Sequence, residues 1–384
     1  MGPVLFHLRR PMLMLGCYLL SCVQAHAQYV IDIDRMSPAT RNFEWRPDDK
    51  PLSCYVSALR PTLNFGFRFQ AGYTVRVPMQ QYRGKGHRWT VLMRITPEGG
   101  KPVTFASRYR LPDVPKTTAE VEVGGGYLLG EGKYAVAWKM TDDTGRICRK
   151  EWRIEAKLNR GERKVKVAMA PHTVDAFSNW TVGHRNPDDA PPIRLTVLMH
   201  AAPNSPRRMR MAARDRVLLL GTLSSLLERL PTSSVRLVVF NLDQQRELYR
   251  QDDFSATEFN NVAQSLDGLE LGMVDYHVLQ NSRGHVDLLA DMVNHEVNAA
   301  QPSDVVLFLG PMARYVDRMP SGVLEKPPGG TPKFFYFQYR PMLRVESSLP
   351  DVIHSAVSRL KGKTVIIHSA GDFAKGIDQV ERLH

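Results

Sequence analysis

The sequence predicts two domains behind an export signal: an N-terminal all-β sandwich and a C-terminal α/β doubly wound domain. Three observations carry this. A chain of 384 residues has room for two cores at roughly 100 to 200 residues per domain. From Leu52 to Leu158 apolar and polar residues alternate with period two, the mark of half-buried strands. After Pro192 continuous apolar runs alternate with stretches of helical period, the mark of a mostly parallel sheet wrapped on both sides. With 43% hydrophobic and 23% charged residues, the composition excludes disorder, collagen and coiled coil.

Residues 1–27 read as a signal peptide. Arg9 and Arg10 precede an apolar run from Pro11 to Val23, and Ala25-His26-Ala27 supplies a small-residue cleavage site. The run is shorter than the roughly 20 residues a membrane helix needs, so the mature chain is expected to have no transmembrane span and to be periplasmic or extracellular. Leu20-Ser21-Cys22 resembles a loose lipobox and the paired arginines a twin-arginine signal; both alternatives keep the chain exported. Export leaves Cys54 and Cys148 as the mature cysteines, and an oxidising compartment favours a disulfide between them, two buried thiols being the alternative.

The front domain is expected over 28–158. Phe65, Phe67, Phe69, Ala71, Tyr73, Val75 and Val77 share one face, in a run too long for one flat strand, with a bend expected at Ala71-Gly72. Trp89, Val91, Met93 and Ile95 repeat the alternation. Tyr134, Val136, Trp138 and Met140 lead into the turn Asp142-Asp143-Thr144-Gly145, from which Cys148, Trp152, Ile154 and Ala156 return as a hairpin. Gly124-Gly125-Gly126 lacks a following helix and a phosphate-loop lysine and is read as a turn. Strands at short intervals with a distant cysteine pair describe a sandwich that looks immunoglobulin-like in architecture.

A mixed stretch, 159–192, reads as a linker. From 193 to 384, Ile193–His200, Val235–Asn241, Val305–Gly310, Phe334–Tyr339 and Thr364–His368 read as strands buried on both faces, with Arg246–Arg250 as an edge strand. Ser205-Pro206 offers a helix start, followed on one face by Ala213, Val217, Leu220, Leu223, Leu227 and Leu230. Ser255 with Glu258 caps a second helix, Leu288, Leu289, Met292, Val293 and Val297 line a third, and Ser348 with Asp351 opens a fourth.

Six strands in this order, one of them a short antiparallel edge, resemble the von Willebrand factor type A fold over about 190 residues. The likeness is strongest to divergent domains of that type in exported bacterial proteins, through Leu195-Thr196-Val197-Leu198-Met199 and Leu237-Val238-Val239-Phe240-Asn241. The resemblance implies a magnesium at the carboxyl ends of the strands, held by an Asp-x-Ser-x-Ser loop, a threonine and an aspartate. The chain departs from that pattern. His200, Ala201, Ala202, Pro203, Asn204 and Ser205 follow the first strand, and Gly310, Pro311 and Met312 follow the Val305 run, without a carboxylate. The expectation is therefore no metal and no cofactor.

Arg207, Arg208 and Arg210 stand instead in the first turns of the helix expected at Ser205. With Asn204 and Ser205 they are the candidate anion- or partner-binding set, because a helix start favours an anion; a solvated cationic face is the alternative. His295-Glu296 lacks the second histidine of a metalloprotease helix, and Asp287, Asp291 and His295 fall on a polar stripe. No nucleophile elbow or phosphate loop occurs.

The expected function is a non-enzymatic, exported protein-binding or adhesion-type role, with another protein or an envelope component as partner and no specific nucleic acid. Two alternatives remain. Residues 28–191 carry 27 basic against 18 acidic residues, where 192–384 carry 22 against 21, so the front half could adhere to an acidic polymer or membrane surface. His200, His368 and Asp372 could serve a hydrolase.

Overall fold

A computed structural model of the chain describes residues 29–31, 43–44, 47–176, 192–204, 211–267, 269, 276–340 and 350–382. These hold about 41% strand against 23% helix, in three sheets of six, four and six strands. The expectation of an immunoglobulin-like sandwich followed by a type A-like α/β domain is thereby corrected. The chain is mostly β, and its compact units do not follow one another along the sequence. One unit takes 1–62, 69–157 and 169–179; the other takes 63–68, 158–168 and 180–384.

The first unit contains β1 (Tyr29–Ile31), β2 (Lys50–Pro51), β3 (Tyr55–Leu63), β4 (Phe69–Pro78), β5 (Arg88–Pro97), β6 (Val103–Arg110), β7 (Glu120–Leu129), β8 (Gly132–Asp142), β9 (Arg146–Ala156) and β10 (Val174–Ala176). They pair as β1-β6-β5-β8-β9-β2 and β10-β7-β4-β3. Alternation sends Tyr73, Val75 and Val77 of β4 and Trp89, Met93 and Trp138 of the other sheet inward, and all are buried. Tyr73 and Trp138 meet across the sheets at 5.4 Å.

Gly124-Gly125-Gly126 is no turn. It lies inside β7, opposite Thr74, Tyr73 and Gly72. A Cβ at Gly72 would sit 2.3 Å from the Gly125 carbonyl oxygen, and one at Gly124 2.8 Å from that of Tyr73, so the strands approach here as only glycines allow. Ala71-Gly72 likewise stays within β4. The break in the aromatic run falls at Asn64–Arg68, where Phe67 takes a left-handed φ of 53°.

The β8–β9 hairpin closes as its sequence indicates. Asp142 Oδ1 accepts from the Thr144 and Arg146 amides at 3.0 and 2.9 Å, and Gly145 takes a φ of 79°. Hydrogen bonds from Thr144 and Arg146 hold the Asp142 carboxyl below its usual range, although its burial acts the other way.

Cys54 and Cys148 form a disulfide with a sequence separation of 94. It ties β9 to the segment between β2 and β3, rather than joining two facing core strands as an immunoglobulin domain would. Chain entropy for such a loop amounts to roughly 4 to 5 kcal/mol. The Cys54→Ser/Cys148→Ser variant is therefore expected to lose stability of that order in urea titrations without reductant. An unchanged midpoint would show the crosslink to be incidental.

The second unit contains β11 (Ile193–His200), α1 (Ala213–Arg229), β12 (Thr232–Asn241), β13 (Arg246–Gln251), α2 (Phe259–Asp267), α3 (Tyr276–Gln280), α4 (Gly284–Val297), β14 (Val305–Pro311), β15 (Lys333–Tyr339), α5 (Val352–Arg359), β16 (Lys363–Ile367) and α6 (Ala370–Glu381). Its sheet runs β13-β12-β11-β14-β15-β16, parallel except for β13. Leu195, Val197 and Met199 pack with Leu223 and Leu226 of α1, Val262 of α2 and Phe373 of α6. Leu198, Phe308 and Tyr336 face the other way, against Val286, Leu289 and Val293 of α4 and Val352 and Ile353 of α5.

Residues 193–384 do not close this core by themselves, since Phe65, Phe67 and Val165 belong to it. Of the expected linker, residues 158–168 therefore pack with this unit, β10 pairs with β7, and 177–191 lie outside the described residues.

Candidate functional site

In an open parallel sheet, ligands bind at the carboxyl ends of the strands where successive crossovers diverge, here between β11 and β14. Gly310 lets the strand ends approach. Its φ is 155°, and a Cβ there would lie 2.7 Å from the His200 carbonyl oxygen.

His200 is buried against Phe240, ring centroids 5.3 Å apart. Its Nδ1 lies 3.4 Å from the Pro311 carbonyl oxygen, which can only accept, and its Nε2 has no partner among the described residues. Burial holds the imidazole below its usual pKa, outweighing Asp243, the Pro311 carbonyl and Asp351, which raise it.

The three groups of the hydrolase alternative do not converge. His368 follows β16, three strand positions from β11 and so roughly 14 Å away at about 4.8 Å per strand. Asp372 serves the start of α6, its Oδ2 accepting from Ser369 Oγ at 2.9 Å and from the His368 amide at 3.4 Å.

Of the expected anion-binding set, Ser205, Arg207, Arg208 and Arg210 lie outside the described residues. Asn204 is half-buried, and its Oδ1 has no hydrogen-bond partner among the described residues. The described helix begins at Ala213 rather than Ser205. There Asp215, in its first turn, accepts from the Ala212 amide at 3.1 Å, placing a carboxylate where an anion was expected. Likewise α5 is opened by Asp351 itself, which accepts from the His354 amide at 2.8 Å; Ser348 lies outside the described residues.

What the sequence reading passed over is the segment 312–327. Parallel neighbours need a crossover, ordinarily a helix, yet between β14 and β15 this stretch holds neither helix nor strand. It is nevertheless clamped along its length. The Ala313 amide donates to Asp351 at 2.8 Å, Tyr315 accepts at its carbonyl from the Val352 amide at 2.9 Å, and the Met319 amide donates to Ser355 Oγ at 2.9 Å. On α4, Asn294 takes both the Val323 carbonyl and the Glu325 amide, and Asn298, just past the helix end, takes the Glu325 carboxylate.

Side chains add to these clamps. Tyr315 stacks on His285 at 3.8 Å, His285 Nε2 meets Asp317 at 2.8 Å, and Arg314 pairs with Asp243 at 3.5 Å. Burial, followed by the Asp243 charge, pushes the Tyr315 phenol above its usual pKa. Val316 projects with 51% of its surface exposed, beside the exposed Arg318. The available signal was negative: a long aperiodic stretch inside an otherwise periodic α/β pattern, which is uncommon in compact domains and is usually either a functional loop or a linker.

Asp351 is the hub of this edge. It is fully buried, and besides the Ala313 and His354 amides it accepts from Tyr336 Oη at 2.9 Å and Gln338 Nε2 at 3.0 Å. Deeper in the unit, Glu296 is fully buried among Thr196, Arg236 and Arg250, while Asp287, Asp291 and His295 face solvent. Among the described residues no group of three His, Cys, Asp or Glu side chains could hold a metal ion, and no helix is long and apolar enough to cross a membrane. In the basic front half, Arg76, Arg146 and Arg149 are in ion pairs with Glu120, Asp142 and Asp49.

No family model and no curated protein matches the chain. Among solved structures, a Bordetella pertussis protein designated ApaA is 13% identical with a TM-score of 0.21, covering 29% of this chain and 99% of its own. A lipoprotein from Bacteroides thetaiotaomicron is 8% identical with a TM-score of 0.15, covering 32% of this chain and 94% of its own. A family 2 glycosyl hydrolase from Bacteroides cellulosilyticus is 10% identical with a TM-score of 0.20, covering 76% of this chain and 36% of its own. Likenesses at this level carry nothing about what the chain does. The disulfide fits a non-cytoplasmic protein.

Proposed function

We propose that the chain is an exported, non-enzymatic binding protein and that segment 312–327 meets its partner, another protein or an envelope component. The clamping of this segment carries the reading. An irregular stretch held by helices α4 and α5, with Val316 projecting from it, is ordered before any partner arrives, so association does not bear the entropy of ordering it. A binding surface is also the simplest use of a crossover that forgoes the helix its topology calls for. Export rests on the signal-like residues 1–27 and the disulfide.

The test is affinity capture from an envelope extract on immobilised native chain and on Val316→Asp. A charge at an apolar contact is expected to reduce retention of the captured component at least tenfold while the far-ultraviolet circular dichroism and melting temperature stay put. Retention is expected to survive roughly 1 M salt, where screening acts within about 3 Å. Equal retention by both chains defeats the assignment to this segment. Loss in salt alone favours adhesion through the basic front half.

A further inference from the structure

At the same sheet edge, the end of β15 carries a guanidinium with an unusual set of partners. Arg340 follows Tyr336 and Gln338 on the face of the sheet that packs on α5. Its Nη2 donates to Gln338 Oε1 at 2.7 Å, and among the described residues its Nε–H has no acceptor and no carboxylate pairs with it. Other buried or half-buried arginines of this unit differ: Arg236 meets Glu296 and Asp252, Arg250 meets Glu247, and Arg68 meets Glu228.

The neutral partner is itself fixed. Gln338 Nε2 donates to Asp351 at 3.0 Å, which decides the amide's orientation and turns Oε1 toward Arg340. Asp351 cannot rotate away, since the Ala313 and His354 amides and Tyr336 Oη also hold it. The backbone of Arg340 is pinned as well, its amide donating to the Ile367 carbonyl at 2.8 Å and its carbonyl accepting from His368 Nδ1 at 3.2 Å. Asp351, Gln338 and His368 are therefore positioning residues, and Arg340 is the group they position.

We infer that Arg340 receives an oxyanion, a carboxylate or a phosphate group, at the carboxyl edge of β15. A guanidinium is charged at every physiological pH and presents donors in a rigid fork matched to such groups. One donor is taken by a neutral oxygen, which steadies the fork without neutralising it, and the charge is left for a ligand. The link through Asp351 to the Ala313 amide places this receptor beside segment 312–327. That the anion belongs to the partner rests on the binding reading above; that Arg340 takes an anion does not.

The experiment is a titration of the nitrogen-15-labelled full chain with sodium acetate and, separately, with inorganic phosphate, ionic strength being kept constant with sodium chloride. The arginine Nε–Hε resonances are followed, and that of Arg340 is identified by its disappearance in Arg340→Lys and Arg340→Gln. It is expected to shift saturably with half-saturation on the order of millimolar, while the Arg314 resonance drifts without saturating. Saturation with acetate alone assigns a carboxylate, with phosphate alone a phosphate, and with both the shared class.

An Arg340 resonance unmoved by either anion, or shifted no more than that of Arg314, overturns the inference. Should either variant fail to fold, the other makes the assignment, and the native titration decides. Because the titration uses no partner, a failed capture experiment with Val316→Asp leaves its outcome intact, and the converse holds.

Discussion

Phe67→Ala is expected to lower the unfolding free energy by about 3 to 5 kcal/mol, read as a fall in the urea midpoint at unchanged slope. The ring is 1% exposed, stacks on Phe373 at 5.5 Å with 8° between planes, and lies under the Arg229 guanidinium at 4.2 Å. Deleting it removes a buried aromatic and leaves a cavity under α1 and α6. The residue holds this place against its own backbone preference: its φ is 53°, a region that costs a side-chain-bearing residue roughly 1 to 2 kcal/mol.

Asn64 holds that turn. Its carbonyl accepts from the Phe67 amide at 3.0 Å and its Oδ1 from the Arg68 amide at 3.1 Å. The Ala168 amide then donates to the Phe67 carbonyl at 2.8 Å, and Arg68 pairs with Glu228 at 3.3 Å. Phe67→Gly deletes the same ring but relieves the φ, so it is expected to be less destabilised than Phe67→Ala by on the order of 1 kcal/mol. If alanine costs under about 1 kcal/mol, or glycine costs more than alanine, the ring is not the plug described. A fragment of residues 193–384 is expected to give no cooperative unfolding transition, since Phe65, Phe67 and Val165 are missing from its core.

This plug also shows where sequence patterning stops being informative. Phe65 and Phe67 continue the alternation that leads into β4, and nothing local separates them from Phe69. Only their tertiary partners, Tyr339 and Phe373, assign them to the other unit. Four of the five runs read as strands buried on both faces coincide with β11, β12, β14 and β15, because a strand covered on two sides must be apolar throughout, and that leaves a local trace; the fifth, Thr364–His368, falls on the edge strand β16, where Ile366 is 45% exposed. The layout of the whole chain leaves none.

The Gly124–Gly126 run failed for a related reason. Consecutive glycines suggest a turn, but here they let β7 approach β4 opposite Tyr73, a demand set by a residue about fifty positions earlier. The site was less legible still. Asp351, Asn294 and Arg340 act by joining segments distant in sequence, and such carboxylates, amides and guanidiniums have no characteristic spacing. The arginines that did draw notice, Arg207, Arg208 and Arg210, stood out because charges clustered in sequence are conspicuous whether or not they converge in space.

Glu296→Ala is expected to cost about 3 to 5 kcal/mol, the range for a buried ion pair that loses one partner. Glu296 is fully buried on α4; its Oε2 accepts from Thr196 Oγ1 at 2.8 Å and Arg236 Nη1 at 2.7 Å, and its Oε1 lies 3.9 Å from Arg250 Nη1. Alanine would leave Arg236 facing a buried void, with Asp252 as its remaining acid. The loss should persist at high salt, because screening does not reach a buried group, whereas removing the exposed Arg76–Glu120 pair should change stability by no more than about 1 kcal/mol. A double variant, Glu296→Leu with Arg236→Met, is expected to be more stable than Glu296→Ala, since replacing both charges by apolar side chains leaves neither uncompensated. A double-mutant cycle measures the coupling, and additivity within about 0.5 kcal/mol would show that the two groups do not depend on each other. Coupling has a consequence for function as well. The helix that carries Glu296 also carries Asn294 and His285, which hold segment 312–327. If segment 312–327 binds the partner as proposed, a loosened α4 should weaken partner capture in Glu296→Gln while the Arg340 titration, which depends on β15, α5 and β16, stays as in the native chain.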